Sequence, residues 1–557
     1  MAALILKDAA SAVQPLVIGA GVDSLVRGFT LDKVLAFAAT LIALSAIKGI
    51  FQYWMRVILI GTSRDIEYDL RNELFRHLIT LSWNFYARFR TGDIMARATN
   101  DLNAVRMMLG PGLMYWTETM FTFIIAVAVM AWVDLPLTVV ALLPAPLVSG
   151  VVVVFGRRIH ERFEEIQKMF SDISSRVQEN IAGVRVVRAY VQEQAELDRF
   201  ERLNRDYIRE NIRLARTSGL FMPLLQALIG LGFLLVLWIG GARLLAGRIS
   251  LGQFVMFNTY MGMLVWPMIA LGWVVNLMQR GNASLERIWE LFEQRSAIAP
   301  PAEPARLAAV RGEIEFCDVS MEYPTGSALA GVSLRIPAGA TVAIVGHTGS
   351  GKSTLVQMVP RLLDPTSGQV LLDGQDLREF APEDIRREIG FVPQETFLFS
   401  ATLAENIAFG VEDATPERIR AAAEIAGLAA DVAGFPAGYQ TMIGERGITL
   451  SGGQKQRAAI ARAIIRDPRV LILDDALSSV DTITEDRILT ALAQIMRGRT
   501  TILISHRVST VRNADRIFVL EQGTIVEEGT HSELIARGGY YADLYQKQLL
   551  EEELETI

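Results

Sequence analysis

Five long apolar runs, all in the first half of this 557-residue chain, constrain its fold most: Val34 to Met55, Leu113 to Val133, Leu135 to Gly156, Leu220 to Ala242 and Phe254 to Met278. Each reaches or approaches the roughly 20 residues that an α-helix needs to cross a bilayer. A soluble domain has no use for so many, so this half is expected to be an all-α polytopic membrane domain in a lipid bilayer. A shorter stretch, Ala12 to Val26, lacks the basic start and cleavage site of a signal peptide. It reads as the outer end of a truncated first span, too short to cross alone.

The connections between these runs are lopsided. Residues 21–33, 133–135 and 243–253 are short links, whereas 61–111 and 157–219 are long and hold most of the arginines of this half. Excess arginine and lysine stays on the cytoplasmic side, which places the long links there. Ile66, Leu70, Leu74, Leu78 and Leu81 recur at helical spacing, so the links are expected to be helices that continue beyond the bilayer. A Pro/Ala-rich stretch, 297–310, has the composition of a linker. The expected organisation is a membrane domain at 1–296, a linker at 297–310 and a soluble domain at 311–557.

Charge divides at the same point. The formal charge of −7 resolves into +5 for residues 1–310 and −12 for 311–557. A basic membrane half suits the positive-inside rule, and an acidic soluble half argues against nucleic acid as the partner, because phosphate backbones are bound by excess Lys and Arg. One cysteine, Cys317, and five histidines leave no basis for an intramolecular disulfide framework or a multi-cysteine metal site.

The chemistry lies beyond the linker. A β-branched strand, Thr341 to Val345, runs into Gly346, His347, Thr348, Gly349, Ser350, Gly351, Lys352, Ser353 and Thr354, after which a helical pattern begins. This is a phosphate-binding loop in its strand–loop–helix setting. Its glycines let backbone N–H groups close on phosphate oxygens, Lys352 reaches the β- and γ-phosphates, and Ser353 ligates magnesium. A second apolar strand, Val470 to Leu473, ends in Asp474 and Asp475, and Asp474 is the carboxylate expected to hold the magnesium shell. ATP and Mg2+ are the implied cofactors.

Leu450, Ser451, Gly452, Gly453 and Gln454, directly before a helix, narrow the class: here the chain resembles the ATP-binding cassette (ABC) transporters. The resemblance implies that this segment and Asp481 contact ATP held by a second subunit. Tyr323 resembles the residue stacking on adenine, Gln394 the one meeting the metal, and His506 the histidine touching the γ-phosphate. Thr441 to Gly447 resembles the exporter-type loop near the coupling helices. In the membrane half, Phe85, Tyr86, Arg90 to Asp93, Asn100 and Asp101, then Glu179 to Tyr190, resemble the two cytoplasmic loops of ABC exporters. The implied fold is the six-helix exporter type with its first helix truncated, followed by an α/β P-loop nucleotide-binding domain.

One chemical departure matters. The family's glutamate after the magnesium aspartate, the base that polarises water, is here Asp475. The shorter side chain reaches about 1.5 Å less, and misplacement on the order of 1 Å can cost ~100-fold in rate. With an intact Leu450–Gln454, the resemblance favours one half of a heterodimer with a slow site of its own; a homodimer is the alternative. The implied function is ATP-driven export of a hydrophobic or amphipathic substrate by alternating access. An importer on this fold, or a nucleotide-gated channel or regulator, are the rival readings. Lys48, Arg56 and Glu118 are candidate intramembrane functional charges. Met114, Trp116, Phe121, Met222, Phe257, Met261 and Met263 are candidates for an adaptable apolar cavity.

Overall fold

A computed structural model describes residues 2–307, 309–324, 326–444, 450–478 and 482–555. Its backbone groups into two compact units, Met1–Ile79 with Arg90–Gln294, and Thr80–Phe89 with Arg295–Ile557.

The first unit contains six helices long and apolar enough to span a membrane: α1 (Ala2–Arg27), α2 (Leu31–Thr80), α3 (Thr91–Val133), α4 (Leu135–Ala182), α5 (Glu193–Leu245) and α6 (Leu251–Glu293). The first of them corrects the expectation of a span too short to cross, since α1 has 26 residues. Lys7 and Asp8 interrupt the apolar pattern, which is why the run looks broken. Both are buried, and Lys7 Nζ lies 2.8 Å from Asp8 and 2.6 Å from Glu118 of α3. Charges that neutralise one another inside the bundle do not end a span. As expected, helices run on through the long links: α2 alone has 50 residues.

Close backbone approach holds α1 against α6. A Cβ at Gly252 would lie 2.0 Å from the carbonyl oxygen of Gly19, so small residues are required at this crossing. Asp23 of α1 accepts hydrogen bonds from Ser250 Oγ at 2.5 Å and Gly252 N–H at 2.7 Å. Between α3 and α4, Asp134 caps the Leu137 N–H at 2.9 Å and accepts from Arg243 of α5 at 2.8 Å. Pro111 sits in a π-helical turn of α3, Met108–Gly112, where its missing N–H is accommodated by the wider turn. At the other end of α3, buried Arg97 donates to Glu290 of α6 at 2.7 Å, and Asp101 accepts from Ser284 at 2.9 Å. The outer halves of α4 and α5 pair with each other through Arg176 and Glu196. They leave Phe163, Phe170, Val177 and Ile181 of α4 exposed, a stripe at near-helical spacing.

In the second unit, a six-stranded sheet has the order β10-β9-β3-β8-β7-β6, with β3 (Thr341–Val345), β6 (Ile389–Val392), β7 (Val470–Asp474), β8 (Thr500–Ile504), β9 (Arg516–Glu521) and β10 (Thr524–Gly529). Of its five pairings, four are parallel and the β9–β10 hairpin at one edge is antiparallel. An antiparallel sheet of order β2-β1-β4-β5 covers one face, from β1 (Ile314–Tyr323), β2 (Gly326–Ile336), β4 (Ser367–Leu372) and β5 (Gln375–Asp376). Val342 and Ile344 pack toward Phe316, Val332 and Leu334, while Ala343 and Val345 pack toward Ala458 and Ile460. Both faces of β3 are dry, and an unbroken apolar strand follows from that. The Pro/Ala-rich segment lies along this unit: Ala305 and Leu307 pack on its core, and the Ala305 N–H donates to Glu379 at 2.8 Å.

Candidate nucleotide site

The loop after β3 turns sharply because its glycines take conformations closed to other residues. Gly351 sits at φ 101°, and a Cβ there would stand 2.5 Å from the Ala328 carbonyl oxygen. Gly346, at φ 153°, would meet the Leu520 carbonyl oxygen at 2.1 Å. The loop delivers the chain into helix α7 (Lys352–Gln357).

Lys352 curls back over this loop, its Nζ donating to the carbonyl oxygens of Gly346 at 2.8 Å and His347 at 2.7 Å. Burial depresses its pKa, opposed by the charges of Asp474 and Asp475. Ser353 Oγ donates to Asp474 Oδ1 at 3.1 Å, which ties the start of α7 to the end of β7. Burial and the neighbouring Asp475 raise the Asp474 pKa above the usual carboxylate value, against the Ser353 hydrogen bond and Lys352. His506, in the loop after β8, is held below the ordinary imidazole value by burial and by the positive charge of Lys352.

These groups converge. Thr348, Gly349, Gly351, Lys352, Ser353, Thr354, Gln394, Asp474, Asp475 and His506 line one open cleft with about 570 Å³ of empty space. Ala328 of β2 and Ile504 of β8 complete it; neither carries a polar side chain, so no sequence signal marked them. Asp475 stands at φ 50°, a left-handed conformation that aspartate tolerates better than most side chains. Its N–H donates to Ile504 at 2.9 Å and its carbonyl accepts from Ser478 Oγ at 3.0 Å. Ser478 in turn accepts from Gln456 at 3.0 Å.

Tyr323 is outside the cleft lining, half-buried at the end of β1 and packed on the antiparallel-sheet core. Leu450 to Gln454 are outside it too. Leu450 is buried, and Ser451 caps helix α8 (Gly452–Ile464) in a reciprocal pair, Gln454 N–H to Ser451 Oγ at 3.3 Å and Ser451 N–H to Gln454 Oε1 at 3.0 Å. Gln454 Nε2 and the Arg457 guanidinium both reach Asp431, at 2.9 and 2.7 Å, an anchor too distant in sequence to be read from the motif. Ser451 and Gly452 stay exposed while Gly453 is buried, so a capped, 13-residue helix presents its positive end to solvent. Asp481 and the later part of 441–447 lie outside the described residues.

The membrane candidates separate. Glu118 pairs with Lys7, Met114 and Phe257 are core residues, and Met222 is exposed. Met261 lines a small apolar cavity with Pro144, Val148, Gly232, Leu264 and Met268.

Comparison with known proteins agrees with this architecture. The family description "ABC transporter transmembrane region" matches residues 1–268, and "ABC transporter" matches 329–478. A probable multidrug resistance ABC transporter ATP-binding/permease protein of Bacillus subtilis (strain 168) is 39% identical over 96% of this chain and 92% of its own. An ATP-dependent lipid A-core flippase of Syntrophus aciditrophicus (strain SB) is 36% identical over 92% of this chain and 86% of its own. Among solved structures, a bacterial Atm1-family ABC exporter with ATP bound superposes with a TM-score of 0.80, at 28% identity over 98% of this chain and 96% of that one.

Proposed function

We propose, given that the chain belongs to the ABC transporters and has their exporter fold, that it is one half of a heterodimer that exports a hydrophobic or amphipathic compound. In this reading residues 1–296 form the membrane domain, 297–310 the connection and 311–557 the ATP-binding domain in the cytoplasm. The observation that carries it is the cleft uniting Lys352, Ser353, Gln394, Asp474, Asp475 and His506 while the exposed helix start at Ser451 and Gly452 lies outside. A phosphate chain held by Lys352 then needs the Leu450–Gln454 segment of a second subunit to enclose it. The exposed stripe Phe163, Phe170, Val177 and Ile181 supports the same partnership, since such a stripe calls for a covering surface.

The donor set suits magnesium: Ser353 Oγ and Asp474 Oδ1 converge within 3.1 Å and Gln394 lines the same cleft, all hard oxygen donors. When bound, the ion neutralises phosphate charge. Lys352 draws the β- and γ-phosphates into the loop, Tyr323 stacks on the adenine, Asp475 accepts the proton of the attacking water, and His506 steadies the γ-phosphate. ATP thereby closes two cassettes on each other and hydrolysis reopens them, an equilibrium that the membrane helices follow as rigid elements. Asp475 makes this chain's own site the slow one, while its Leu450–Gln454 and Asp481 complete the partner's.

Purification of this chain alone tests the stoichiometry, because brisk ATP hydrolysis without a partner sinks the heterodimer. Inside-out vesicles carrying the assembled pair should accumulate an exported dye when ATP is added. ATP-dependent passive leak would instead mark a channel, and ATP-driven loss of preloaded dye an importer. Stimulation of ATPase across drug, lipid and peptide classes then identifies the substrate.

A further inference from the structure

His506 is carried by a loop rather than by the sheet, and the loop is held by side chains from two helices distant in sequence. On one side is Glu485 of α9 (Thr482–Met496), almost fully buried, which accepts from the Arg507 guanidinium and the Thr510 hydroxyl. On the other is Gln548 of α10 (Tyr540–Glu555). Its Oε1 accepts from the Val508 N–H at 2.7 Å, and its Nε2 donates to the carbonyl oxygen of His506. A single planar amide thus satisfies backbone groups on both sides of Arg507 and fixes their spacing.

The same helix also reaches the phosphate-binding loop. The Tyr540 ring meets His347 of the phosphate loop edge-on, with centroids 4.8 Å apart. Adjacent Tyr541 is fully buried in the core beside the parallel sheet and anchors the helix. Eight residues separate Tyr540 from Gln548, about 12 Å of helix.

We infer that Gln548 is a positioning residue for His506, and that α10 is a strut linking the His506 loop to the phosphate-binding loop. Irregular loops open more readily than sheets and helices. Loss of two such hydrogen bonds shifts the opening by about tenfold or more. Among the described residues, the hydrogen bonds of Gln548 go to the backbone of His506 and Val508, so its removal is expected to alter the geometry of hydrolysis rather than ATP capture. The inference rests on the proposed role of His506.

The test uses the assembled transporter in nanodiscs, on an Asp475→Glu background with the partner subunit's own hydrolytic site inactivated, so that only this chain's site turns over. Gln548→Met keeps length and packing but removes both hydrogen bonds; Gln548→Glu keeps the acceptor for Val508 and loses the donor to His506. Hydrogen exchange of residues 505–510 should rise about tenfold in the Met variant, with kcat falling about tenfold and KM for ATP within twofold of the parent. The Glu variant should fall between. Parent-like exchange in Gln548→Met, or a raised KM with unchanged kcat, overturns the strut. His506→Ala run alongside separates the two readings: unchanged turnover there overturns the role of His506 and this inference with it. Lost turnover there, with parent-like exchange in Gln548→Met, overturns the strut alone.

Discussion

Asp475 concentrates the residue-scale questions, because reach and backbone conformation oppose each other at one position. Its φ of 50° suits aspartate, whereas a glutamate there reaches about 1.5 Å further but incurs a left-handed cost of about 1 kcal/mol. In this chain purified alone, Asp475→Glu is therefore expected to raise kcat by roughly tenfold to 100-fold and to lower the melting temperature by a few degrees. Steady-state ATPase and a thermal melt on the same sample read both, and an unchanged kcat sinks the claim that reach is limiting. At His506 the sign is set by burial, which favours the neutral ring. Folding then favours the uncharged form, so this group's contribution to stability is present above pH 6.5 and is lost as pH falls below it. The ring resonance, assigned by comparison with His506→Gln, should titrate with a midpoint below 6.5; a midpoint above that value contradicts the burial argument. Most of these residues were legible in sequence, since backbone cradle, lysine and carboxylate come from short contiguous motifs. The left-handed turn at Asp475 was not, because it depends on the Ile504 carbonyl brought alongside by the neighbouring strand.

At the scale of elements, α1 was the one misjudged in sequence, and the reason is pairing. Lys7 and Asp8 read as interruptions until Glu118 of α3 is beside them. Lys7 is 3% exposed, so Lys7→Ala leaves the buried Asp8 without its cation and the part-exposed Glu118 without its partner, at an expected cost of about 3 kcal/mol. Thermal unfolding in detergent should fall by several degrees, and the triple change Lys7→Ala, Asp8→Leu, Glu118→Gln should recover most of the loss. Failure of the triple change to recover would mean that the charges themselves contribute stability. The long cytoplasmic helices were legible because their leucine spacing continues past the apolar runs. The Gly19–Gly252 crossing was not, since glycine in a helix has no periodic signal of its own and is explained only by the backbone it meets.

For the whole molecule, the charge split between halves corresponds to an integral membrane protein with a cytoplasmic ATP-binding domain, and the exposed α4 stripe bears on assembly. Phe170→Glu with Ile181→Glu should shift the purified transporter from dimer to monomer in size-exclusion chromatography with light scattering, while ATP still binds. Dimers that survive both charges would leave that face without a role in assembly. What the chain determines by itself is whatever rests on local pattern: spans from apolar length, sidedness from arginine, and phosphate chemistry from glycine, lysine and aspartate at fixed spacing. Only the tertiary structure decided which of these groups meet. It brought Gln394, Asp474 and His506 to one cleft from three separate segments, left Tyr323 and Leu450–Gln454 outside it, and paired Lys7 of α1 with Glu118 of α3. Those outcomes depend on contacts between residues tens to hundreds of positions apart, whose energies come from burial and pairing that no local pattern encodes.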